Sequence, residues 1–282
     1  MKKRILQILF VLVCTIVASC SDDDGDLQST GINGKPGKIT IKYTDPNFNS
    51  IDTDVFFYYQ GDKLIRTKAI KGSILDFSYQ NNELISVATS PEDKNVADGH
   101  GSTAFSKEGS KITIQSWGEP SSDFFRWELQ LDENNIPVKI TDLGIYSHTG
   151  ADGELSKIKE GKYYSAFIYE QTTKNLVKQT VYDISTSIVV ATYEYEYDKN
   201  LGAISKIDLP LWYYAYKAYI NRDYRNVYNS LFFNYSNNIQ KETIDIEEGK
   251  SVVNYNYQYN KSNTPVSMGS DIYGLPVISI TY

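Results

Sequence analysis

The sequence predicts an all-β fold: an antiparallel meander of β-hairpins, strongly curled or closed into a soluble up-and-down barrel. Three observations carry this. Apolar and polar residues alternate with a period of two along most of the chain, tyrosine is used heavily (24 residues against 11 Phe and 3 Trp), and Asn- and Gly-rich turns recur between the alternating runs. At 282 residues, with 41% hydrophobic and 22% charged, the chain has material for a sizeable core and the profile of neither a polytopic helical membrane protein nor a disordered chain. There are 28 basic and 35 acidic residues, a net charge of −7, so no basic excess exists to neutralise the phosphates of a nucleic acid.

The first segment reads as a targeting signal. Lys2, Lys3 and Arg4 form a basic start, and an apolar stretch follows from Ile5 to Val17, interrupted only by Gln7, Cys14 and Thr15. That is the length of a secretory signal and too short for a spanning helix, which needs ~20 residues. The stretch ends in Val17-Ala18-Ser19-Cys20, which resembles the bacterial lipobox, where small residues precede a cysteine that takes the lipid through its sulfur. Residues 1–19 are therefore expected to be cleaved, leaving Cys20 as a lipidated N-terminus and the membrane as a partner. Loss of Lys2, Lys3 and Arg4 takes 28 basic residues to 25 against 35 acidic, a net −10. Cys14 leaves with the signal, so no disulfide is expected.

Next comes Ser21-Asp22-Asp23-Asp24-Gly25-Asp26. It reads as a solvated acidic linker, and it also resembles the Cys-Ser-acidic signal that sends Bacteroidetes lipoproteins to the outer cell surface. A calcium loop is a third reading, but no Glu stands at the twelfth position of the run. Gly31, Gly34, Pro36 and Gly37 complete a lipidated, Gly-rich tether over residues 20–37, and a single β-hairpin domain is expected over 38–282.

Within that domain, Ile39, Ile41 and Tyr43 alternate with Lys38, Thr40 and Lys42. Phe125, Trp127, Leu129 and Leu131 alternate with Arg126, Glu128 and Gln130, and Tyr193, Tyr195 and Tyr197 with Glu194, Glu196 and Asp198. Tyr255, Tyr257 and Tyr259 alternate with Asn254, Asn256 and Gln258. A recurring unit emerges: an alternating run ends on an aromatic or apolar residue, a turn rich in Asn follows, and a second run returns with Leu or Ile. The run ends fall at Tyr79, Leu131, Tyr169, Tyr197, Tyr235 and Tyr259, too unevenly spaced for a solenoid or propeller. Asn and Gly supply the positive φ that tight hairpins need. Runs of ~5–8 residues, with tyrosines at strand centres and polar residues opposite them, predict a wall with no lipid-facing side.

The unit from Tyr193 to Ile207 resembles the tyrosine-aspartate repeats of Rhs-type and teneurin shells, with an extra residue before Gly202. Together with the lipobox and the acidic run, the chain over residues 38–282 resembles an uncharacterised family of Bacteroidetes surface lipoproteins. That resemblance implies a porin-like β-barrel fold and an outer-membrane, outward-facing location, and it brings no catalytic residues.

Motifs for chemistry are absent. There is no Gly-x-Ser-x-Gly elbow, phosphate loop or His-Glu-x-x-His pair, and the only histidines, His100 and His148, sit in turn-like stretches. No catalytic residue, metal site or cofactor is expected. One segment breaks the strand pattern: Pro210 to Ile220 places Trp212, Tyr216 and Tyr219 at helical spacing, with Pro210 at a helix start. Its aromatics either plug one end of the barrel or form a platform for a glycan or protein partner, built from Trp212, Tyr213, Tyr216 and Tyr219 with Arg222 as a polar handle. Trp117 is a second, weaker candidate. The expected function is a non-enzymatic binding scaffold at the cell surface. A glycan hydrolase using an Asp/Glu pair and a purely structural envelope component are the alternatives.

Overall fold

The computed structural model describes residues 31, 33–43, 51–70, 72–93, 100–118, 123–149, 154–221, 236–271 and 277–282. One set of strands runs upward: β1 (Lys38–Tyr43), β3 (Lys63–Ala69), β5 (Glu83–Pro91), β7 (Lys111–Gly118), β9 (Pro137–Thr149), β12 (Leu176–Asp183), β14 (Asn237–Ile246) and β16 (Pro265–Ser270). Between them others run downward: β2 (Ile51–Gln60), β4 (Ser73–Gln80), β6 (Gly101–Glu108), β8 (Asp123–Leu131), β10 (Glu154–Lys159), β11 (Tyr163–Tyr169), β13 (Val189–Leu201), β15 (Gly249–Tyr259) and β17 (Val277–Thr281). Every pairing is antiparallel and, apart from β9–β11 and β1–β17, joins neighbours in sequence; β1 pairs with both β2 and β17, so the sheet closes. β10 and β11 both pair with β9, along its upper and lower halves. They are one wall strand interrupted at Glu160–Lys162, so these 17 strands fill 16 places in an up-and-down barrel.

That interruption has a local cause. Gly144 of β9 has φ +102°, and a Cβ there would lie 1.9 Å from the Lys159 carbonyl oxygen. The β9 register slips at this point, and Asp142 holds the gap by accepting hydrogen bonds from the Gly144 amide (2.8 Å) and the Lys162 amide (3.3 Å).

The lower end is built from a repeated device. In six hairpins the last inward residue of the descending strand pairs with the first inward residue of the ascending one: Tyr59 with Leu64, Tyr79 with Leu84, Leu131 with Pro137, Tyr169 with Leu176, Tyr197 with Ile239 and Tyr259 with Pro265. In each the register then slips by one residue, leaving Ile65, Ile85, Val138, Val177, Gln240 or Val266 as a β-bulge. A bulge breaks the ladder, and the carbonyl of the peptide entering it needs another partner. Tyrosine hydroxyls supply one: Tyr79 donates to Leu64 O (2.9 Å), Tyr197 to Leu176 O (2.6 Å), Tyr257 to Ile239 O (2.9 Å) and Tyr282 to Pro265 O (2.9 Å). Tyr59 repeats the contact on Pro36 O (2.9 Å) ahead of β1, so the device continues across the seam where the barrel closes. The turns below use the conformations expected, with positive φ at Asn81, Asn82, Asn135, Asn263, Gly61 and Gly109.

Alternation sorts the walls as the sequence predicts. Tyr193, Tyr195 and Tyr255 are buried inside with Phe57, Leu64, Ile114, Leu129, Ile140, Ile239 and Ile278. Outside, charged residues face each other across strands: Lys178–Glu194 (2.8 Å), Lys241–Glu196 (2.5 Å), Arg66–Asp76 (2.5 Å), Lys111–Glu128 (3.3 Å) and Lys38–Asp54 (3.5 Å). Strand length departs from the expected ~5–8 residues. β9 and β13 each reach 13 residues, because bulges let a strand continue where its alternation lapses. The tether boundary also moves. Lys35, Pro36 and Gly37 are buried against the lower end, with Lys35 bound to Asp62 (2.7 Å) and the Gly37 amide to Thr281 O (2.8 Å).

Two outcomes follow. Tyr79→Phe and Tyr257→Phe should each cost about 1–2 kcal/mol in denaturant unfolding, because each leaves a carbonyl without its hydroxyl donor. Their effects should add, since β4 and β15 do not pair. Burial holds Tyr59, Tyr79, Tyr169, Tyr197 and Tyr282 above the ordinary phenol range. Unfolded tyrosines ionise near pH 10 while these stay protonated, so stability is constant below about pH 10 and falls above it, by about 1.4 kcal/mol per pH unit for each phenol. Phenolate absorbance from these residues should rise together with loss of the β-sheet circular dichroism signal; ionisation of every tyrosine near pH 10 with the sheet intact would contradict it.

Candidate functional site

The segment singled out in the sequence lies inside the barrel. After β13 the chain leaves the wall at Gly202 and returns at Ser236, whose carbonyl accepts from the Gly202 amide (2.8 Å). A polar cluster fixes both ends. Asn175 Oδ1 accepts from the amides of Ser236 (3.1 Å) and Asn237 (3.2 Å), and Asn238 links Ala203 N (3.2 Å) to Leu201 O (2.9 Å). Asp198 receives the Tyr259 hydroxyl and the amides of Asn200 (3.0 Å) and Asn238 (3.2 Å).

The excursion carries a helix, α1 (Leu211–Ile220), preceded by Pro210 at its N-cap with φ −68°. Tyr213, Tyr214, Ala215, Tyr216, Ala218 and Tyr219 are all buried, the pattern of a helix enclosed on every side. Tyr213 meets Phe77 (6.0 Å) and Phe105 (5.9 Å) edge-on, Tyr216 meets Phe105 (5.9 Å) and Trp127 (5.7 Å), and the Tyr219 hydroxyl donates to Tyr163 O (3.2 Å). These rings are core, and the platform expected from Tyr213, Tyr216 and Tyr219 does not form, because at 4%, 4% and 2% exposure they offer no face to a ligand. Trp212 is partly buried and packs on Phe105 (4.9 Å). Arg222, like Cys20, Ser21, Asp22, Asp23 and Asp24, lies outside the described residues.

Above the helix the lumen changes character. Val87, Thr103, Ser116, Phe125 and Ile145 are cross-strand partners in one layer around β5–β9, with Thr89 and Gly101 paired above, and Asp123, Ser147 and Ser156 paired on the β8–β10 side. Thr103 donates to Ser116 Oγ (3.0 Å), and both bond the Tyr216 phenol, which burial nonetheless raises to about 12. Phe125 stacks on Trp127 (centroids 5.8 Å, planes 11° apart), yet it is 50% exposed. The sequence places Phe125 correctly on the inward face but does not reveal that its ring stays half exposed. The only signal was its proximity to the upper end of its strand.

On the outer wall, Trp117 pairs opposite Phe124, which stacks on Tyr146 (5.9 Å) beside His148 (5.6 Å), with Arg126 (5.5 Å) and Lys157 (5.6 Å) over the Tyr146 ring. His100 is exposed, and among the described residues no group of three His, Cys, Asp or Glu side chains could hold a metal ion. Within the lower lumen, Glu242 is buried and accepts from the Tyr255 hydroxyl (2.9 Å).

No family model matches the chain, and no curated protein does. Among solved structures it is similar to a porin-like protein from Bacteroides vulgatus ATCC 8482, at 13% identity and TM-score 0.39, over 88% of this chain and 98% of that one. It also matches part of a TcdB2–TccC3–Cdc42 structure, at 11% identity and TM-score 0.23, over 82% of this chain and 16% of that one.

Lys217 is the charged residue of α1, and burial of its ammonium lowers its pKa to about 8. The folded pKa lies below the unfolded one, so below about pH 8 the wild type bears the whole cost of the buried charge, and the cost fades as pH rises toward 10.5. Lys217→Met should therefore stabilise by about 1–3 kcal/mol at pH 7 and by much less at pH 10, measured by denaturant unfolding at both values.

Proposed function

We propose that this chain is a lipid-anchored protein of the bacterial outer membrane whose barrel stands in water, facing the cell exterior, as a non-enzymatic scaffold that binds a glycan. The observation that carries the reading is the outer wall. Lys178–Glu194, Lys241–Glu196 and Arg66–Asp76 sit directly opposite one another on it. A charge facing lipid at mid-membrane costs about 2–4 kcal/mol, so a wall laced with such pairs belongs in water, and the membrane attachment falls to Cys20.

The lipobox residues Val17 to Cys20 and the acidic run from Ser21 support anchoring and export. So does the resemblance to Bacteroidetes surface lipoproteins. Polarity of the barrel supports the rest. The N-terminal segment joins at the lower, helix-filled end, where Gly31, Lys35 and Gly37 pack around Tyr282, Asp62 and Thr281. A tether of the eleven residues from Cys20 reaches at most about 40 Å, which keeps the lower end near the membrane and turns the upper mouth outward.

Cys20→Ser should shift the protein from the membrane fraction to the soluble fraction and abolish labelling by radioactive palmitate, with the barrel still folded by circular dichroism. A variant that stays in the membrane, resistant to carbonate extraction, would place the wall itself in the bilayer and defeat the reading.

A further inference from the structure

We infer that the upper mouth of the barrel, above α1, is a carbohydrate-binding cup in which the ring of a neutral sugar stacks on Phe125. The inference rests on the glycan-binding reading above and assigns it a site. Three observations meet there. First, Phe125 faces the lumen: it pairs with Ser116, which bonds Tyr216 of the enclosed helix, and it stacks on Trp127, which touches the same Tyr216. Second, Phe125 is half exposed, whereas Trp127 and Leu129 below it on the same face are 9% and 0% exposed. An inward aromatic that remains half exposed departs from the packed layers beneath it. A solvent-exposed ring backed by a second parallel ring is a rigid apolar plate, and its exposure is costly unless something covers it.

Third, short hydroxyl side chains share the level of this plate with Val87 and Ile145. Thr89, Thr103 and Ser116 occupy inward register positions of β5 to β7 at and above Phe125, and Asp123, Ser156 and the buried Ser147 do so on β8 to β10. The corresponding positions lower down are Leu84, Ile112, Leu129 and Ile140. An apolar plate flanked by the short hydroxyls of Thr89, Thr103 and Ser116 matches a pyranose, which has an axial C–H face and an equatorial rim of hydroxyl groups. A peptide fits less well. Extended peptides gain affinity by adding to an unpaired strand edge, and β5, β6, β7 and β8 are each paired on both sides.

The test uses the full chain in mild detergent, titrated with maltohexaose, cellohexaose, xylohexaose and mannohexaose, and read by calorimetry and by fluorescence of the tryptophans. At least one oligosaccharide should bind and perturb Trp127 emission. Phe125→Ala should weaken that binding about tenfold or more while leaving the unfolding midpoint nearly unchanged, and Phe125→Trp should restore it. Trp117→Ala, on the outer wall, should have no effect. Binding that survives Phe125→Ala but is lost in Trp117→Ala would overturn the mouth as the site while sparing the glycan reading. Silence toward all four sugars and toward a wider glycan array would overturn both. A peptide library retained by the wild type and released by Phe125→Ala, with no sugar competing, would overturn the sugar assignment alone.

Discussion

The closed wall depends on the contact between a tyrosine hydroxyl and the carbonyl that enters a β-bulge. Bulges at Ile65, Val177, Gln240 and Val266 increase the local twist at the lower end of the strands, and twist repeated in one sense makes a sheet curl until its edges meet. Each bulge also removes one acceptor from the ladder, and Tyr79, Tyr197, Tyr257 and Tyr282 return it from the neighbouring hairpin. The same residue thus fills the lower lumen with its ring and ties one hairpin to the one before with its hydroxyl. Phenylalanine could do only the first. The preference for tyrosine over phenylalanine at Tyr79, Tyr197, Tyr257 and Tyr282 follows from the carbonyls that bulging leaves to be satisfied.

Closure at 16 places creates a second constraint. An eight-stranded barrel is about as wide as its own inward side chains can fill, and a ring twice that size leaves a channel. Wall residues alone cannot supply a core here, so the chain sends its own helix inside. That is why α1 is rich in tyrosine: Tyr213, Tyr216 and Tyr219 reach from one face of the helix to β4, β6, β8 and β11. The Asn175–Asn237 bond (2.8 Å) and the bonds of Asn238 and Asp198 hold the door through which the helix enters. The cost of the arrangement shows at Lys217, a cation carried indoors by the segment that has to fill the space.

Much of this was legible from residues alone. Period-two alternation identified the inward tyrosines 193, 195 and 255, the Asn turns and the outward acids, because a half-buried strand imposes that pattern on its sequence. Helical spacing after Pro210 identified α1. The bulges were less visible, although their mark is present: the return strand opens on two consecutive apolar residues, Leu64-Ile65, Leu84-Ile85 or Leu176-Val177, where strict alternation would place one. What alternation cannot express is depth. Phe125 and Leu129 obey the same rule on the same face, yet one is half exposed and the other buried, because alternation reports the face and not what packs against it. For the same reason the aromatic cluster at 212–219, conspicuous as sequence, turns out to be core.

On the β5–β9 side the lumen wall therefore changes with height, from apolar layers to one that mixes hydroxyls with Val87 and Ile145, and the order is not arbitrary. The lower lumen holds the entry of α1, the N-terminal segment and the tyrosine stitches, all packed to exclude water. Above Tyr216 the inward positions turn to Thr103, Ser116, Ser147 and Ser156 around the exposed ring of Phe125. A fold that needed only stability would continue the apolar layers upward, since each methyl or ring buried there adds to the core. Short hydroxyl side chains instead take several of these positions, and the Phe125 ring beside them stays half exposed, at a cost in stability. Proteins bear that kind of cost where a surface has to stay open to something outside.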